Sequence, residues 1–249
     1  MRLVLVPLRT RRRDPETNAR RISAAVRRLA TRQQPDLIVF PETALTGYLY
    51  RAEDLARFAE PVPGPQTARV GALSRALGVN VAFGLIEATP EGPANTVVLI
   101  DRQGCVLLRQ RKLSEPPPYV RGRELARADL EGVRLAALTC GDLFSQQALA
   151  LLPRELDLVL APMARAFDGR SPDPERWLRE ERAAYLDAVR NVGVTTAIVN
   201  VLEEPAADES EAPSFGGALV VGPGGELLAE SPHGTDRPLV FELGVGNVG

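Results

Sequence analysis

The sequence predicts one α/β domain spanning residues 1–249, and three observations carry that expectation. Short apolar runs that suit buried strands alternate with stretches of helical period. The chain is long enough to bury a substantial core, yet it has no linker of domain-separating character and no internal repeat. Its most chemically suggestive side chains, Glu42, Lys112 and Cys140, each fall at the end of a predicted strand, the edge where open α/β sheets place their sites.

Taken in order, Arg2–Pro7 is a short apolar strand, and Asp14-Pro15-Glu16 supplies an N-cap, a first-turn proline and an acid that suits the helix dipole. In the helix that follows, Ile22, Val26 and Leu29 form one buried stripe. Arg20, Arg21, Arg27, Arg28 and Arg32 lie on the outer faces, and without interleaved aromatic residues this basic surface reads as solvated. Asp36–Phe40 is a strand that Pro41 stops immediately before Glu42. Thr43–Tyr50 and Pro61–Pro65 are loops, Gln66–Leu77 is a helix, and Val79–Leu85 and Asn95–Asp101 are strands. Arg102-Gln103-Gly104 turns the chain into the strand Cys105–Gln110, with Lys112 just beyond it. Leu113–Gly122 is a loop stiffened by Pro116, Pro117 and Pro118. The apolar run from Val133 is a buried strand that ends on Cys140. Ala148–Leu152 is a helix, Leu156–Ala161 a strand, Pro174–Asn191 a helix with the sole tryptophan, Trp177, and Val194–Val201 a strand. The acidic, proline-bearing Glu203–Ser214 is an exposed loop. Gly217–Val221 and Glu226–Ala229 form a hairpin, and Pro238–Leu243 is the last strand.

Composition narrows the function classes. Thirty basic against thirty-two acidic residues leave a formal charge of −2, so no global field recruits nucleic acid or an anionic membrane. The apolar residues near the start precede the arginines at 9, 11, 12 and 13, the reverse of a secretory signal, and no run reaches membrane-spanning length. Two cysteines, Cys105 and Cys140, make no disulfide framework, which points to a reducing cytoplasm. One histidine and two cysteines argue against a metal site. No cofactor motif survives inspection, because the G-x-G-x-x-G at 244–249 ends the sequence and cannot open a helix. Of the thirty basic residues only Lys112 is lysine, which suggests that its position needs a compact point charge.

A cysteine at a strand end, followed by Gly141, exposes its sulfur while the next backbone N–H points at whatever the sulfur attacks. A histidine base would have to be His233, in a turn near the end of the sequence; a carboxylate is the more natural choice. Phe40-Pro41-Glu42-x-Ala44-Leu45-Thr46-Gly47-Tyr48, then Arg111-Lys112-Leu113, then Thr139-Cys140-Gly141-Asp142 resemble, in order and content, the three catalytic motifs of the nitrilase superfamily, the carbon–nitrogen hydrolases. The similarity extends over nearly the whole chain, through Leu158–Pro162, Trp177 and the late glycine-rich hairpin.

That resemblance implies a four-layer α-β-β-α sandwich, paired into homodimers or larger homo-oligomers, acting on a small amide-type substrate and water with no cofactor. It implies that Glu42 accepts the thiol proton of Cys140, that the sulfur forms a thioester, and that Lys112 with the Gly141 N–H holds the oxyanion. A cation beside the thiol would lower its pKa from about 8.5. The family also carries a second, substrate-positioning glutamate, for which Glu115 and Glu124 are both candidates. Tyr48, the Pro116–Val120 loop and the Met163–Phe167 segment would line the pocket, where Arg165 is a candidate partner for a substrate carboxylate. Three features depart from the pattern: only twenty-seven residues separate Lys112 from Cys140, Phe144-Ser145-Gln146 replaces a common Phe-Pro-Glu, and Arg190 precedes Asn191 where an acid is usual. The expected function is hydrolysis of a linear amide or N-carbamoyl compound, with nitriles a secondary class. The alternatives are an inactive binding or scaffold protein on the same fold, and a thioester-dependent acyltransferase.

Overall fold

Burial on both faces is what makes the strands of this chain read as continuous apolar runs. Leu3, Val4 and Leu5 are all fully buried, and so are Leu37 and Ile38, because each sheet has a second sheet on one side and helices on the other. The computed structural model describes residues 1–166, 174–204 and 213–244. Its first sheet runs, in spatial order, β14 (Leu239–Glu242), β1 (Arg2–Leu5), β3 (Leu37–Val39), β4 (Asn80–Thr89), β5 (Gly92–Ile100) and β6 (Val106–Arg111). The second runs β13 (Leu227–Glu230), β12 (Ala218–Val221), β10 (Thr196–Asn200), β9 (Leu158–Met163), β8 (Val133–Ala137) and β7 (Ala128–Leu130). Each has three parallel strands at its centre, β1-β3-β4 and β8-β9-β10, flanked by antiparallel neighbours. A two-stranded parallel ribbon joins β2 (Arg9–Thr10) to β11 (Leu202–Glu203).

Leu5, Val39, Leu99, Leu135, Leu160 and Val199 interdigitate between the sheets. Helices α1 (Pro15–Gln33) and α3 (Pro65–Leu77) cover the outer face of the first sheet with Ile22, Val26, Val70 and Leu73. The outer face of the second packs on one continuous helical stretch, α5 (Pro174–Arg176), a wide π turn (Trp177–Glu181) and α6 (Arg182–Val192), through Trp177, Tyr185 and Val189. The result is the expected α-β-β-α sandwich. Short helices α2 (Ala52–Phe58) and α4 (Gln146–Leu149) sit in connections. Among the described residues no helix is long and apolar enough to cross a membrane.

The α1 start follows its sequence signals: the Asp14 carboxylate accepts from the Thr17 N–H at 3.0 Å. Elsewhere the structure adjusts the expectations. The ladder of β8 ends at Ala137, three residues before Cys140, because the chain then leaves the sheet for a 3-10 turn, Cys140–Phe144. Glu203 and Ser214 are buried instead of exposed: Glu203 pairs with Arg12 at 2.7 Å and accepts from the Ser214 N–H. Residues 205–212 of that predicted loop, 245–249 of the glycine-rich end, and Phe167 fall outside the described residues. The helices α2 and α4 and strands β2, β7 and β11 are too short to show a period, which is why α2, β2, β7 and β11 were not anticipated and α4 was placed two residues late.

Topology collects one edge. Strand β5 runs antiparallel to β4, and β6 antiparallel to β5, so β6 points the same way as β3. The residues after β3 and β6, and the first half of β5, therefore share one end of the sheet. At that end Gly84 of β4 lets the turn at Glu42 approach: a Cβ there would lie 2.3 Å from the Thr43 nitrogen and 2.8 Å from the Glu42 Cα. Gly84→Ala is expected to destabilise the fold by about 1–3 kcal/mol, lowering Tm by several degrees in a thermal melt; an unchanged Tm would show that the turn has room to move.

Candidate active site

Three turns deliver the key side chains. Beyond β3, the Phe40 N–H still donates to Ala82 O at 2.8 Å, Pro41 ends the ladder, and Thr43 adopts a left-handed backbone with φ +45° that turns Glu42 into the interior. Lys112 follows β6 directly; its N–H donates to Asn95 O and its C=O accepts from the Gly122 N–H, each at 2.8 Å. Cys140 opens the 3-10 turn in a left-handed conformation, φ +47°, a strained geometry for a non-glycine residue. One carboxylate staples two of these turns together: Asp142 accepts from the N–H groups of Leu113 at 3.0 Å and Ser114 at 2.7 Å, and from the Thr139 N–H at 3.2 Å.

The side chains converge on a buried ion cluster. Glu42 is wholly buried, and Lys112 and Glu115 nearly so. The Lys112 ammonium bridges them, with Nζ 2.8 Å from Glu42 Oε1 and 2.7 Å from Glu115 Oε2, and lies over the Tyr48 ring at 5.5 Å from its centroid. Asn95 Nδ2 donates to both carboxylates, at 2.7 Å to Glu42 and 2.8 Å to Glu115. The Tyr48 hydroxyl donates to Glu115 Oε1 at 2.6 Å. Glu42 Oε2 makes no hydrogen bond among the described residues.

Of the two candidates for a second glutamate, Glu115 joins the cluster. Glu124 is exposed, and among the described residues only its backbone carbonyl is engaged, by Gln110 Nε2 at 2.9 Å. Arg165 is brought near the cysteine, but its guanidinium forks onto Glu181 at 3.1 Å through both contacts, so it already has a carboxylate. His233 lies flat on Trp177, 4.8 Å between centroids and 8° between planes, and the charges acting on Cys140 are those of Glu42 and Lys112. Asn95 and the stapling role of Asp142 escaped the sequence reading. A buried asparagine inside the apolar strand β5 was the visible signal for the first; the second had none, because its partners are 28 and 29 residues away.

The electrostatics overturn one expectation. Burial, and then the Glu42 charge, push the Cys140 thiol up to about 12 against the opposing pull of Lys112 and the Ala164 N–H. The nearby cation does not produce a resting thiolate, because desolvation outweighs it. Burial also raises Glu42 above the ordinary carboxylate range, with Lys112 opposing. Burial works against the Lys112 charge, but Glu42, Cys140 and Glu115 outweigh it and the ammonium is held charged. Tyr48 stays a neutral donor, its pKa raised by burial and by the charges of Glu42 and Glu115.

A family model described as carbon-nitrogen hydrolase matches residues 3–247. The chain belongs to the carbon–nitrogen hydrolase family. A curated relative of this family member, a hydrolase encoded in the pqqF 5′ region of Pseudomonas protegens, is 32% identical over 137 residues, which cover 52% of this chain and 48% of the relative. A formamidase of Bacillus cereus is 33% identical over 117 residues, 43% of this chain and 34% of the formamidase. These matches thus span half or less of the curated relatives. Among solved structures, an amidase from Nesterenkonia sp. AN1 superposes with a TM-score of 0.75–0.76 at 25–26% identity, covering 98% of this chain and 92–93% of that one; one form carries acrylamide added at its active-site cysteine. A superfamily member from Xanthomonas campestris, at 21% identity and a TM-score of 0.80, covers 98% of this chain and 90% of its own and shares the fold.

In this carbon–nitrogen hydrolase family member the raised thiol has a measurable signature. Iodoacetamide labelling of Cys140 is expected to be slow at pH 7–8 and to climb toward the strongly alkaline range. Lys112→Ala should slow it further, since the lysine is the charge that favours the thiolate. Fast labelling near neutrality, followed by peptide mass spectrometry, would contradict the burial argument.

Proposed function

We propose that this protein is a cysteine-dependent amidase that hydrolyses a small linear amide or N-carbamoyl compound through a thioester, with nitriles a secondary class. The observation that carries this reading is the division of labour at Glu42: Oε1 is occupied by Lys112 and Asn95, Oε2 has no hydrogen-bond partner within the usual limits among the described residues, and the carboxylate acts directly on a thiol that burial keeps protonated. Glu42 takes the proton of Cys140 as the sulfur attacks the carbonyl carbon. An ammonium has three donors, and Lys112 spends two on the glutamates, leaving one for the developing oxyanion together with the Gly141 N–H. Glu42 returns the proton to the departing ammonia or amine, then activates the water that hydrolyses the thioester. Glu115, fixed by Lys112, Asn95 and Tyr48, positions the amide nitrogen and water.

The amidase and formamidase relatives support an amide substrate, and the acrylamide adduct supports Cys140 as nucleophile. The short connection from Lys112 to Cys140 does not count against activity, since the Asp142 staple spans it. We also place the protein in a reducing cytoplasm, in keeping with its two free cysteines. A homodimer or larger homo-oligomer fits the exposed Phe144 and Leu178 over the second sheet.

Ammonia release from formamide, acetamide and N-carbamoyl compounds is the direct test. Cys140→Ala and Glu42→Gln should each lower kcat by at least about 10³; wild-type turnover no faster than Cys140→Ala would defeat the proposal. Lys112→Arg keeps the charge but replaces a point ammonium by a planar fork, and should lose most activity while remaining folded. Because Glu42 must be ionised and its pKa is raised, kcat/KM should fall as pH drops through a value above the usual 4.3 or so. An acid limb at or below the ordinary glutamate value would argue against Glu42 as the base.

A further inference from the structure

Outside the cluster, among the described residues, four arginines line a cavity of about 490 Å³ where β6 meets the 121–126 segment. Four guanidiniums border it, those of Arg109, Arg111, Arg121 and Arg123, with Glu91 and Glu124 as the acidic members. Arg109 and Arg111 both rest on one carboxylate, the fully buried Glu87, with Arg111 Nη2 and Nε at 2.8 and 3.0 Å. Arg121 is tied through Nε to the backbone carbonyl of Glu115, which carries no charge. Arg123 has no hydrogen bond or ion pair among the described residues, and neither Glu91 nor Glu124 reaches an arginine there. Four guanidiniums thus face three carboxylates, Glu87, Glu91 and Glu124, of which only Glu87 is ion-paired to them among the described residues, so the cleft keeps a formal excess of one positive charge.

We propose that this cleft is a binding site for a small oxyanion carrying two or more negative charges, a phosphate-bearing or polycarboxylate metabolite, and that its occupancy stiffens the loop carrying Lys112 and Glu115. Arginine forks match the planar or tetrahedral oxygens of such groups, and the Glu87 floor holds two of them pre-oriented, so little side-chain freedom is lost on binding. No aromatic side chain lines the cleft, which removes the stacking platform that a single-stranded nucleic acid would need. The volume suits a small molecule. The coupling is built from backbone: the Gly122 N–H, in the cleft wall, donates to Lys112 O at 2.8 Å, and Arg121 holds Glu115 O. The binding site does not depend on the proposed amidase activity; only the consequence of stiffening the loop does.

Isothermal titration calorimetry of the full chain with inorganic pyrophosphate and, separately, with citrate tests this at a fixed ionic strength of about 0.15 M. At least one should bind saturably with Kd below about 1 mM, pyrophosphate marking the phosphate class and citrate the carboxylate class. Arg123→Gln, at a side chain with no folding role, should weaken that binding at least about tenfold, whereas Arg27→Gln on the exposed face of α1 should not. Hydrogen exchange at the Gly122 amide should slow on saturation. No saturable heat from either anion, or equal loss in both variants, overturns the site; saturable binding with unchanged Gly122 exchange overturns the coupling. Neither readout uses turnover, so failure here is separable from failure of the amidase reading.

Discussion

The Lys112 ammonium, held between two buried carboxylates, is the interaction on which the site depends. Glu42 and Glu115 are nearly devoid of solvent and share a single amide donor, Asn95. Two carboxylates so placed repel one another, and the lysine is what allows both to persist. Removing one partner of such a buried group typically costs about 3–5 kcal/mol, because the remaining charge loses its compensation. The requirement is for a compact charge: three donors on one nitrogen reach two glutamates from a single point, whereas a guanidinium presents its donors in a rigid plane. That gives position 112 a physical reason to be lysine.

The fold supplies this convergence through strand direction. Glu42, Asn95, Lys112 and Glu115 all stand at one end of the first sheet because β5 reverses and β6 reverses again. Cys140 comes from the corresponding end of the second sheet, beyond its parallel strand β8. From the first sheet, Glu42 and Lys112 act on it electrostatically. The link is Asp142, whose carboxylate receives two N–H groups from the loop after Lys112 while its own turn carries Cys140. The packed sheets set the spacing of Glu42 and Cys140, and the Asp142 side chain adds a direct polar link between the two turns.

Much of this was legible in the sequence, for identifiable reasons. Glu42, Lys112 and Cys140 stand beside strand ends marked by Pro41, by the close of an apolar run, and by Gly141, all local signals. The α1 start was readable because Asp14 caps within three residues. Glu115 was not separable from Glu124, since the proline loop has no period that would say which side chain turns inward. The Arg165–Glu181 pair and the Asp142 staple join residues that only the tertiary fold brings together. The pKa of Cys140 was misjudged for a similar reason: the sequence displays the neighbouring cation but not the depth of burial, and burial is the larger influence.

A thiol that rests protonated fits the charge economy of the cluster better than a preformed thiolate would. A standing thiolate beside Glu42 and Glu115 would place three negative charges around one ammonium in a desolvated space. With the proton on sulfur there are two, and Lys112 balances them in part. Passing the proton from Cys140 to Glu42 moves a negative charge from carboxylate to sulfur without changing the total, so no net charge has to be created in the low-dielectric interior. In the proposed mechanism the move would also free Lys112 from part of its attraction to Glu42 as negative charge develops on the substrate oxygen. A base outside the cluster would lack this property, since withdrawing the proton to solvent would leave the buried site one charge more negative.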